Sequence, residues 1–221
     1  MPSIKILLIP FIILLSTFSA HAEVEIKGAM EGVHYEVIKP AQPTSAPAGK
    51  VEVTEFFWYG CPHCFKFEPY VKGWLKQKSD NVTFKQIPAM LNPKWESHAR
   101  VYYAAEVLGI TDKIHEPLFI ALHVEKKRIF KEEDILDFVE GLGVDRKKFA
   151  GAYHSFAVSA KIQYSKKLGQ AFNLSGVPSV IINGKYLTSA SHAGSFEGLV
   201  VLMNSLAESE LKSTVATGIK K

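Results

Sequence analysis

The chain has two cysteines, Cys61 and Cys64, separated only by Pro62 and His63. A disulfide between such neighbours closes almost no loop, so it removes little entropy from the unfolded chain and makes a poor staple. The pair therefore reads as working sulfur, provided the chain reaches a compartment where disulfides persist. The N-terminus supplies that condition. Residues 1–22 carry one early charge, Lys5, then an apolar run from Ile6 to Leu15, then Ala20-His21-Ala22. This is the pattern of a cleaved secretory signal peptide, with a mature start at Glu23. The apolar run is short of the ~20 residues a membrane helix needs, and no later segment approaches that length.

The hydrophobic pattern places the dithiol at a strand–helix junction. Residues 51–58 are β-branched and aromatic, as in a strand buried on both faces. Residues 61–78 follow as a helix with an apolar stripe of Cys64, Phe67, Val71, Trp74 and Leu75. Pro69 lies inside it and is expected to kink it. Residues 82–87 read as a second central strand, and residues 34–38 as a short edge strand ahead of a proline-rich loop. Five helices are expected at residues 101–108, 114–123, 132–142, 145–153 and 156–172, punctuated by Gly109, Gly141 and Gly143. Strands return at 179–182 and 185–187, joined by Asn183-Gly184, a strong two-residue hairpin signal. A last helix carries Phe196, Leu199, Val200, Met203 and Leu206 on one face.

The expected fold class is thus α/β, with two halves of one sheet separated by a helical block. The division read from the sequence is a signal peptide at 1–22, a discontinuous α/β domain at 23–90 and 171–213, and an all-helical insertion at 91–170. A polar, loose tail at 214–221 completes it. Net charge is +4 with both signs interspersed, which argues for a solvated surface and against a nucleic-acid stripe.

The junction assigns roles. Cys61 stands where unpaired backbone N–H groups and the helix dipole favour an anion, and the thiolate is the nucleophile of disulfide exchange. Cys64, one turn on and on the buried stripe, is the shielded resolving sulfur. Pro62 suits a first turn, where a missing N–H costs nothing. The dipole supplies at most about 2 kcal/mol, roughly one and a half pKa units. A very acidic thiol needs more, and His63 is the nearest candidate. A stabilised thiolate stabilises the reduced form and makes the disulfide a stronger oxidant. Glu55 alternates with Val51, Val53 and Phe57, so it falls in an apolar row. Burial there raises its pKa and makes it a candidate to exchange a proton with Cys64.

The segment Glu55-Phe56-Phe57-Trp58-Tyr59-Gly60-Cys61-Pro62-His63-Cys64 resembles the active-site segment of the DsbA family, periplasmic disulfide donors of thioredoxin fold. Gly176-Val177-Pro178, with Val180, Asn183, Gly184, Lys185 and Tyr186, resembles that family's cis-proline loop. The resemblance implies a thioredoxin-like fold with an inserted helical domain, a cis Val177–Pro178 bond packed against the dithiol, and a proton-exchanging Glu55. Val177 would then pair with an extended substrate chain. It also implies reoxidation by a membrane quinone-linked oxidase of the DsbB type.

The expected function is therefore a periplasmic thiol:disulfide oxidoreductase that donates its disulfide to reduced, unfolded exported proteins. It would act as a monomer, without cofactor, with no nucleic-acid partner and only transient contact with a membrane protein. The alternatives are an isomerase or reductase on the same fold, or a chaperone-like binding module. Residues 23–50 are too few for the N-terminal dimerisation domain of the dimeric isomerases. Zinc is disfavoured: two cysteines and His63 leave a structural set incomplete, and the other histidines lack ligand spacing. Phe56, Trp58, Tyr59 and Phe65 divide between core and an apolar groove around Cys61, and Lys85 between a surface position and the neighbourhood of Glu55.

Overall fold

A computed structural model describes residues 28–218, with side chains through Ser213. The signal peptide expected at 1–22 lies outside the described residues. Five strands form one mixed sheet: β1 (Glu36–Val37), β2 (Val51–Phe57), β3 (Val82–Pro88), β4 (Ser179–Ile182) and β5 (Tyr186–Thr188). The spatial order is β1-β5-β4-β2-β3. Strand β2 pairs parallel with β3 and antiparallel with β4, so it is central. All seven of its residues are buried, including the polar Glu52, Thr54 and Glu55. Asn183 and Gly184 turn the β4–β5 hairpin with φ of 52° and 66°, the pair of positive angles that a tight hairpin requires.

Helix α1 (Pro62–Leu75) crosses from β2 to β3. Pro69 sits inside it. Between β3 and β4 the chain forms a 3-10 turn (Pro93–Trp95) and five helices: α2 (Glu96–Val107), α3 (Thr111–His123), α4 (Glu132–Gly141), α5 (Arg146–Tyr153) and α6 (Phe156–Ala171). Two helices close the chain, α7 (Ala190–Ala193) and α8 (Phe196–Gly218). Helix α8 thus enters the stretch expected as a loose tail. From Ser205 onward the sequence has no proline and no glycine before Gly218, so nothing in the backbone stops it.

Three apolar clusters fix these elements. Val51 and Val53 pack with Phe67, Val71 and Trp74 of α1 and with Leu199, Leu202 and Met203 of α8. Phe56 points to the other face, against Ile87, Phe172 and Ile181. Phe57 and Cys64 join the helical block through Tyr59, Tyr102, Leu118 and Phe119. The stripe on α1 differs from expectation at one place. Leu75 is exposed, and Glu68 is buried in its stead. Both lie on the helical period, and the wider Trp74 side chain takes the last buried turn.

Candidate active site

Strand β2 runs through Trp58, Tyr59 and Gly60 into Cys61, which is the N-cap of α1 with extended backbone angles. No side chain caps this helix end, so its amides face the sulfur. Cys61 is almost covered, 7% exposed, and Cys64 is wholly buried one turn further on. The Cys61 thiol pKa is lowered to about 5. The Cys64 thiol, donating to the Cys61 sulfur, contributes most. Burial opposes it, and the backbone N–H groups of Cys64 and His63 add to it. The His63 charge is the smallest of these contributions, because the exposed imidazole faces solvent. The order differs from the sequence expectation that His63 is the main help beyond the helix end. Cys64 is pushed far up, by burial first and then by its donation to Cys61 and the nearby charge of Glu55. One sulfur is built to be an anion and the other to hold its proton.

The second wall of the site comes from the far end of the chain. The Val177–Pro178 bond is cis. Pro178 is buried, Val177 half-buried, and strand β4 starts immediately after them. The Cys61 thiol donates to the Val177 carbonyl at 3.4 Å. Beside this contact an open groove of about 580 Å³ is lined by His63, Gly176, Val177, Pro178, Ser189 and Phe196. Among the aromatics, Phe56 and Tyr59 are core, while Trp58 and Phe65 are partly exposed at the site's rim.

Gly60 permits this turn. A Cβ there would lie 2.3 Å from Cζ2 of Trp58, whose ring stacks on Trp95 with centroids 4.5 Å apart and planes 6° from parallel. The ring has little room to retreat, so Gly60→Ala is expected to cost about 1–3 kcal/mol, as overpacking does. Urea unfolding should show the loss, and tryptophan fluorescence should report the displaced stack; an unchanged midpoint would mean that Trp58 moves freely.

Glu55 is fully buried between Gln86 of β3 and Val180 of β4. Its Oε2 accepts from Gln86 Nε2 at 3.0 Å, and its Oε1 has no protein partner. Its pKa is raised well above the ordinary carboxyl value, first by burial and then by the charge of Glu68, with the Gln86 bond opposing. Lys85 points away from this acid and pairs with Glu52 at 2.8 Å on the opposite face of the sheet.

Three site residues were not singled out in the sequence: Gln86, Glu68 and His115. Gln86 Nε2 also donates to Glu68 Oε1 at 3.0 Å, and His115 Nε2 lies 3.1 Å from the same oxygen. The Tyr59 hydroxyl lies 2.9 Å from His115 Nδ1. Glu68 had a usable signal, since it falls four residues after Cys64 on the buried stripe. Gln86 needs the β2–β3 register, and His115 needs the packing of α3 on α1, so neither is visible locally. Among the described residues, no group of three or more His, Cys, Asp or Glu side chains is placed to hold a metal ion.

Residues 52–200 match the family model of the DSBA-like thioredoxin domain. The chain belongs to this family. It is 41% identical over 177 residues to the thiol:disulfide interchange protein DsbA of Burkholderia cepacia, covering 80% of this chain and 84% of that protein. The namesake from Pseudomonas aeruginosa is 37% identical over 179 residues, covering 81% and 84%. A crystal structure of Pseudomonas aeruginosa DsbA superposes with a TM-score of 0.78 at 37% identity, covering 82% of this chain and 94% of that one. The DSBA-like fold, a thioredoxin-like sheet with helices inserted between β3 and β4, is the α/β class expected from the sequence.

Proposed function

We propose that this thiol:disulfide oxidoreductase donates its Cys61–Cys64 disulfide to reduced proteins arriving in the periplasm. A client thiolate attacks Cys61, forming a mixed disulfide and releasing Cys64. A second client thiol displaces Cys61, so the client leaves oxidised and the dithiol is left reduced. Glu55 exchanges the proton of Cys64, Pro62 shapes the first turn of α1, and His63 assists the Cys61 thiolate. The Val177 backbone and Pro178 hold the extended client beside the sulfur. A membrane quinone-linked oxidase of the DsbB type returns the pair to the disulfide. The protein acts as a monomer after removal of residues 1–22, with 91–170 as its helical insertion. No helix among the described residues is long and apolar enough to cross a membrane.

The observation that carries this reading is the Cys61 sulfur at the uncapped mouth of α1, with the buried Cys64 thiol behind it. A thiolate favoured in the reduced protein makes the disulfide an oxidant, which fits a donor better than a reductase, an isomerase or a binding module. The test is the pH dependence of Cys61 alkylation. Half-reaction is expected near pH 5; a midpoint near 8 to 9, where ordinary thiols lie, would remove the oxidase argument. The sign for stability follows. A depressed folded pKa stabilises the reduced native state most above the ordinary thiol value, and the gain is lost as pH falls through about 5. Urea midpoints of reduced against oxidised protein should therefore converge in acid.

A further inference from the structure

Glu55 and Glu68 form a pair of buried carboxyls joined by one amide. Glu55 is 0% and Glu68 8% exposed. Gln86 Nε2 has two hydrogens and gives one to each, at 3.0 Å and 3.0 Å. An amide nitrogen cannot accept, so neither carboxyl can reach the other's proton through Gln86. Two carboxylates this close and this dry do not both ionise readily, so one proton belongs to the pair. The position of that proton decides the chemistry, because the charge of Glu55 bears directly on the Cys64 thiol.

His115 breaks the symmetry. It comes from α3, in the helical block, and reaches Glu68 Oε1 with Nε2 at 3.1 Å. A buried tyrosine keeps its hydroxyl proton, and Tyr59, raised well above its ordinary pKa by burial, gives it to Nδ1 at 2.9 Å. That leaves Nε2 as the N–H of the ring, aimed at Glu68. Glu68 thus receives two donors on one oxygen, whereas Glu55 receives one and keeps an unpartnered oxygen. We propose that His115 is a positioning residue: its hydrogen bond to Glu68 holds the pair's single proton on Glu55, where the departing Cys64 sulfur needs it.

The step balances. The client thiolate forms a bond to Cys61 while the Cys61–Cys64 bond breaks, and the electron pair leaves on Cys64. Glu55 then gives its proton to that thiolate and becomes a carboxylate. The inserted helices thereby act on the dithiol's proton through Glu68, beyond their packing against Cys64. The other titratable groups facing Glu55 are Cys61 at the N-cap of α1, Cys64 of α1 and Tyr102 of α2. All lie on the sulfur side or keep their protons, so Glu68 is the rival carboxyl that acts on Glu55.

This rests on the proposed role of Glu55, and the experiment separates the two. Rates of client thiolate attack on the oxidised protein and the Cys61 alkylation midpoint of the reduced protein are measured across pH. His115→Phe should slow the attack about three- to tenfold, the size of a coupling between neighbouring groups. It should also raise the Cys61 midpoint, because an ionised Glu55 opposes the thiolate. His115→Gln, which can still donate to Glu68, should restore both. In a Glu68→Gln background His115→Phe should do nothing more. If its effect persists there, or if His115→Gln behaves like His115→Phe, His115 is merely structural and the proposal fails. If Glu55→Gln leaves rate and profile unchanged, the role of Glu55 itself fails. Should His115→Phe not fold, the infrared band of the protonated carboxyl decides. It must vanish in Glu55→Gln and survive in Glu68→Gln; the reverse pattern would place the proton on Glu68 and overturn the proposal.

Discussion

Cys61→Ser is expected to bring disulfide transfer to a reduced, unfolded protein down to the uncatalysed rate. Every step of the exchange makes or breaks a bond at this sulfur, and a hydroxyl can neither form a disulfide nor ionise near neutral pH. The substitution should leave the fold intact. Cys61 is an N-cap, where serine is favoured, and the side chain sits at the edge of its cluster. Regain of activity by a disulfide-requiring client reports the loss, and a single cooperative thermal melt shows that the scaffold survives. Undiminished client oxidation by the serine variant would mean that the chemistry lies elsewhere.

Cys64→Ala is expected to abolish turnover in a different way. Cys61 can still attack oxidised glutathione or a disulfide-bearing client, forming a mixed disulfide and releasing the other thiol, but no neighbouring thiol remains to resolve it, so adducts should accumulate and be visible by intact mass. The same variant tests what holds the thiolate. The Cys64 donor is the largest influence lowering Cys61 to about 5. Without it the alkylation midpoint should rise toward the ordinary thiol value of about 8.5. Cys64→Ser keeps a hydroxyl donor and should recover part of the acidity but none of the turnover. If the alanine variant still titrates near the native midpoint, the amides at the helix mouth act alone.

The frame of the molecule was legible because its signals are local. The β-branched and aromatic residues of β2, the Asn183-Gly184 turn and the glycine-punctuated helices each declare themselves within a few residues, and the observed elements lie close to the expected ones. The dithiol was legible for the same reason. Glu55 was found by alternation and Glu68 was not, although both interrupt apolar rows. A carboxylate in a strand of seven buried residues stands out, whereas one on a helix is ordinarily solvated. His115 and Gln86 depend on which elements meet, and sequence spacing carries no account of that. The weight placed on His63 shows a related bias: proximity along the chain suggested its charge, while the stronger help came from a sulfur and two amides oriented by the fold.

The contact between Cys61 and the Val177 carbonyl joins positions 116 residues apart. It also sets an order of events in time. A chain made from its N-terminus presents both sulfurs early, and β3 can dock on one side of β2 from nearby sequence. The opposite edge stays vacant until β4 has been synthesised. Through that interval the thiol pair lacks one of its walls, so the young protein carries its reactive group before it carries the means to present a client to it. Competence arrives with the last part of the chain, all at once, when the β4–β5 hairpin closes the sheet.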